Sequence, residues 1–124
     1  MSPDLSMRQQ VNQSLRQHRQ PLSPEAWCQE FQQDASYQNH VLLFIYQSLE
    51  TYSGIEFNRV RPTDRLVEDL QFPLVCWFDW SASFCDDVLE HLGIDISDCF
   101  DETLINTLTD LATFLETCLA NQSN

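Results

Sequence analysis

The chain has 124 residues, with 19 acids, six arginines, no lysine and a formal net charge of −13. A surface this negative repels phosphates and anionic lipids, so neither nucleic acid nor a membrane surface is an expected partner. Only two glycines leave no material for a glycine-rich nucleotide loop or a hairpin-built sheet, while an apolar fraction of 43% allows a core, and the expected fold class is all-α.

The charge is uneven. The first 65 residues hold all six arginines against seven acids; from Leu66 onward there are twelve acids and no cation. Such a segment draws basic protein surfaces toward it, or simply keeps the chain soluble. Cys28, Cys76, Cys85, Cys99 and Cys118 are odd in number, form no C-x-x-C pair and follow no legible signal sequence. The expectation is buried free thiols in a reducing, cytoplasmic setting. The longest apolar run, Val41 to Tyr46, is six residues, against the roughly 20 that a membrane helix needs.

In chain order, residues 1 to about 22 are rich in Gln and Ser, with Leu5, Val11 and Leu15 on a weak helical face. They read as a loosely held arm. Ser23-Pro24-Glu25 starts a short helix: a capping serine, proline at the first position, an acid in the first turn. This helix carries Trp27, Cys28 and Phe31 on one side and needs a surface to cover them. Val41, Phe44, Ile45, Leu49 and Tyr52 recur at helical spacing, and Gly54 suits the left-handed position past the helix end. A polar connection from Glu56 to Asp64 follows, then Leu66, Val67 and Leu70. Phe72 to Trp80 is almost wholly apolar. A helix from about Asp79 to Leu92 is expected to turn Ala82, Cys85, Val88, Leu89 and Leu92 inward, with Gly93 closing it. Asp98 is expected to cap a brief helical turn around Phe100. Thr107 and Asp110 have capping-box spacing for a last helix through Leu108, Leu111, Leu115, Cys118 and Leu119.

This order, with Leu66-Val-Glu-Asp-Leu70, Val88-Leu-Glu-His-Leu-Gly-Ile-Asp-Ile-Ser-Asp98 and Ile105-Asn-Thr-Leu-Thr-Asp-Leu-Ala-Thr-Phe-Leu115, resembles acyl carrier proteins. The resemblance implies an acyl-carrier-protein-like antiparallel helical bundle over residues 37–120, with an N-terminal helical extension over 1–36 and a tail over 121–124. It departs from the family at the serine that carries 4′-phosphopantetheine. Counting forward from Leu70 reaches Leu74, and counting back from Gly93 reaches Phe78. The nearest hydroxyls, Ser81 and Ser83, lie further into the helix. The resemblance therefore implies a non-catalytic protein-interaction adaptor without a cofactor; the alternative is a genuine carrier modified at Ser81 or Ser83.

For partner binding, the resemblance singles out Asp86, Asp87 and Glu90, on the helix that carriers present to their enzymes, where they form a docking face for a basic protein or a merely solvated one. Trp77 and Trp80 in the aromatic insertion are either core or partner anchors; of the rings, Trp80 is the one expected outside. His91, four residues after Asp87, reads as a surface pair and not as a metal ligand. Asp95, Ser97 and Asp101 do not make a calcium loop, because Phe100 stands where glycine is needed. No nucleophile motif points to an enzyme.

Overall fold

The computed structural model describes residues 2–33 and 36–122 and is all-helical. Six α-helices follow in order: α1 Leu5–His18, α2 Pro24–Phe31, α3 Asn39–Ser53, α4 Phe72–Val75, α5 Trp80–Leu92 and α6 Leu108–Gln122. Single 3-10 turns lie at Phe57–Arg59 and Glu102–Leu104. Among the described residues, no helix is long and apolar enough to cross a membrane.

Local chemistry sets most helix ends. The Ser23 hydroxyl accepts from the Ala26 amide with Pro24 in the first turn of α2. At α6 the box is reciprocal: the Asp110 amide donates to the Thr107 hydroxyl at 3.1 Å, and the Asp110 carboxylate accepts from the Thr107 amide at 3.0 Å. Gly54 and Gly93 end α3 and α5 at φ 70° and 76°, backbone that costs a side-chain-bearing residue more.

α3 is the central element, touching α2, α5 and α6, and it buries Val41, Leu42, Ile45 and Leu49. α6 supplies Leu108, Leu111, Ala112 and Leu115. The α2 stripe is covered as its composition demands. Trp27 is fully buried, stands edge-on to Tyr46 of α3 at 5.1 Å, and its indole N–H donates to the Val60 carbonyl at 3.0 Å. The α2 helix ends at Phe31; residues 34 and 35 lie outside those described, as do 123 and 124 of the expected tail, while 121 and 122 finish α6.

The structure corrects three expectations. Residues 5–18 are not a loose arm. They form α1, capped by Asp4, with Val11 and Leu15 buried and Leu5 exposed. Arginine chemistry, invisible to an apolar count, fastens this helix. Arg16 pairs with Glu56, while Arg19 grips the buried Asp64, its Nη2 donating to Oδ1 at 2.7 Å. Asp64 also accepts from the Arg61 amide at 2.8 Å, and its own carbonyl accepts from the Leu108 amide. The polar loop is thus a hub joining α1 to the start of α6.

Second, the expected facing of α5 holds in part: Val88 is buried and Cys85 and Leu92 pack against the core, but Ala82 and Leu89 do not turn inward. Trp80, Phe84 and Val88, spaced at i, i+4 and i+8, are its buried residues, while Ala82 is exposed and Leu89 is 50% exposed. An aromatic stripe outbids an aliphatic one because it buries more area. Third, Asp98 lies inside the turn that reaches Phe100, closed by the Phe100 amide donating to the Ile96 carbonyl at 2.8 Å, and does not cap it; the next turn, Glu102–Leu104, is capped by Asp101, whose carboxylate accepts from the Thr103 amide at 3.0 Å.

Candidate functional site

The corner between α4 and α5 is shaped by its own sequence. Gln71 adopts φ 59° and starts the four-residue α4. Phe72, Val75 and Cys76 are buried beneath it. With those side chains turned in, the next two rings point out: Trp77 is 53% and Phe78 72% exposed.

The position of Trp80 is a correction. It is only 6% exposed, because it is the first residue of the buried α5 stripe. It stands edge-on to Phe72 at 5.3 Å, and Phe84 and Phe100 lie at 6.4 and 6.3 Å. The insertion is therefore divided, with Phe72 and Trp80 in the core and Trp77 and Phe78 at the surface. Between them lies an apolar groove of about 280 Å³ lined by Leu66, Val67, Phe72, Trp77, Phe78 and Trp80, with Glu102 and Thr103 on its far side. Sequence reasoning did not single out Phe78, nor the exposed Val67 and Leu104. The signal for Phe78 was its place two residues before the helical stripe begins, which puts it off the buried face.

The three acids of α5 do not form one uniform face. Asp86 and Glu90 are exposed, one turn apart. Asp87 is half-buried and accepts a hydrogen bond from the Tyr52 hydroxyl of α3. Burial first, and then this bond to Asp87, push the Tyr52 hydroxyl well above its ordinary range. Asp87, Glu90 and His91 each offer a ligand atom within 4.8 Å of the others, a mostly exposed cluster of a kind common on acidic helices without a metal. His91 lies tilted against Phe44, with ring centroids 5.9 Å apart, and beside it opens a groove of about 480 Å³ that also touches His40 and Tyr52.

Ser81 is the second residue of α5 and half-exposed; its hydroxyl points to the Glu102 carboxylate at 3.5 Å. Ser83 is exposed. All five cysteines are free. Cys76 is buried, and desolvation pushes its thiol up to about 12, which makes it inert near neutrality. The expectation of buried thiols holds for Cys28 and Cys76 but not for Cys99, which is exposed. Asp95 and Asp101 accept from the hydroxyls of Ser97 and Thr103 at 2.6 Å, closing local turns.

No protein-family model matches the chain, and no curated protein or solved structure matches it significantly.

Proposed function

We infer that this chain is an acidic, acyl-carrier-protein-like module that works as a non-catalytic adaptor, docking a basic protein surface against α5 and the corner before it. The observation that carries the reading is a juxtaposition: the exposed rings Trp77 and Phe78 lie immediately before the helix that exposes Asp86 and Glu90. Aromatic rings supply desolvation energy at an interface, and acids around them supply encounter rate and orientation. From Leu66 onward no cation competes for those acids. The resemblance adds that carriers present this helix to their partners. Replacing Asp86, Asp87 and Glu90 together by their amides changes no apolar core residue and keeps an oxygen at position 87 to accept from the Tyr52 hydroxyl. Affinity capture from the native lysate should lose the specific partner with this variant; equal recovery of every captured protein removes α5 from the mechanism.

A second reading, a carrier modified on serine, draws on the place of Ser81 in the first turn of α5, a half-exposed hydroxyl at a helix N-terminus. Against it stand the neighbouring Asp79 and Glu102, which repel the phosphate that such an arm brings. The two readings part on whether the native protein carries a covalent arm.

A further inference from the structure

The groove between Trp77, Phe78 and Val67 has properties that a merely acidic face lacks, and they specify the form of its occupant. At about 280 Å³ it is smaller than most small-molecule sites, yet suited to one or two apolar side chains delivered by a larger partner. Strand addition is an unsuitable mode, because the described residues hold no strand, only an isolated bridge between Arg65 and Thr107. The exposed rings and Val67 line the groove together with the buried Leu66, Phe72 and Trp80. Leu104, 77% exposed, follows Glu102 and Thr103 of the far side. The charged residue that lines the groove is an acid, Glu102, and three more acids adjoin lining residues in sequence: Glu68 after Val67, Asp79 after Phe78 and Asp101 before Glu102. Arg65 is already engaged by Glu68 and Asp69.

Resting on the adaptor reading above, we propose that this groove receives the apolar face of a basic amphipathic helix from a partner protein, with Trp77 and Phe78 clasping residues one helical turn apart and the surrounding acids pairing with Lys or Arg on its flanks. The charge complementarity chooses this occupant. A second copy of the chain would bring −13 against −13, and an apolar helix without cations would leave the acids facing low-dielectric surface unpaired. Helix-in-groove docking of this kind reads anchors at i and i+3 or i+4.

The test uses the full chain and a short helical peptide of Leu and Lys with all leucines on one face, beside a scrambled peptide of identical composition. Trp77 is the exposed tryptophan, and Trp80, also at the groove, is only 6% exposed, so peptide binding in the groove shifts chiefly the emission of Trp77 to the blue, and the Trp77→Phe variant loses most of that shift. The amphipathic peptide is expected to bind at least about tenfold more tightly than the scramble, and the double variant Trp77→Ser, Phe78→Ser to weaken it about tenfold while keeping the wild-type melting temperature. Equal binding of both peptides, or undiminished binding to the double variant, overturns the helix-in-groove inference. So does concentration-dependent self-association that the double variant abolishes, because the groove would then belong to a second copy. The amide triple variant of Asp86, Asp87 and Glu90 separates the two ideas: if it retains full affinity while the aromatic variant does not, the α5 docking reading fails and the groove stands.

Discussion

Arg8 of α1 donates from Nη2 to the carbonyl oxygen of Val75 at 2.7 Å, across 67 positions of the chain. The Asp4 amide makes a parallel bond to the Leu74 carbonyl at 2.8 Å. The N-terminal helix thus holds the very segment that presents Trp77 and Phe78. Deleting residues 1–20 removes these bonds, the Arg19–Asp64 pair and the burial of Val11 and Leu15. The expected result is a melting temperature lower by about 5 °C or more, with faster amide exchange at 75–78. A truncated protein that melts with the full chain contradicts this role for α1.

The facing of α5 has a sharp mutational signature. Phe84 is fully buried against Phe44 and Phe100, with ring centroids at 5.9 and 5.3 Å. Phe84→Ala should cost about 3–5 kcal/mol. Leu89→Ala, on the exposed side, should cost less than about 1 kcal/mol. Chemical denaturation of the two variants measures both, and the reverse order would restore the aliphatic facing.

Stability should fall on both sides of neutrality. The Cys76 thiol, ordinarily near 9, is pushed to about 12 by burial, and Tyr52 is also raised, by burial and then by its bond to Asp87. Above their ordinary values the unfolded chain releases protons that the folded chain keeps, so this stability is present at neutral pH and lost as pH rises past about 9. Tyr52→Phe and Cys76→Ala should each flatten the alkaline loss. On the acid side, the hydrogen bond from Arg16 holds Glu56 below the carboxylate range, and Arg65 does the same for Asp69. Their contribution is present above the ordinary carboxylate value and is lost as pH falls through the lowered ones. Melting temperature against pH, in wild type and Arg16→Gln, checks the sign: the variant should lose less on acidification.

What could be read in the sequence was what is local. Ser23-Pro24, Thr107 with Asp110, Gly54 and Gly93 act within one turn of backbone, and each ends its helix where its chemistry indicated. The stripe of Trp27, Cys28 and Phe31 was legible because all three residues are apolar on one face. The facing of α5 was not, since Leu89 and Phe84 compete for the interior and only Phe44 and Phe100, outside the helix, decide for Phe84. The same applied to Trp80, whose burial depends on Phe72 and Phe100. α1 was missed because arginine bonds to Val75, Glu56 and Asp64 fix it, and its own apolar face is thin. At the candidate site, the exposed acids Asp86 and Glu90 were legible; the exposure of Trp77 in place of Trp80 was not, nor was the role of Tyr52 at Asp87, because a hydroxyl 35 residues away leaves no pattern in the sequence.

An adaptor of the kind proposed works through its folded surface and carries no prosthetic arm. The intact mass of the protein purified from its native cells, and again after co-expression with a phosphopantetheinyl transferase, tests this. The expected value is that of the unmodified chain both times, about 14.5 kDa. A gain of one phosphopantetheine that Ser81→Ala abolishes would contradict it and make the protein a carrier.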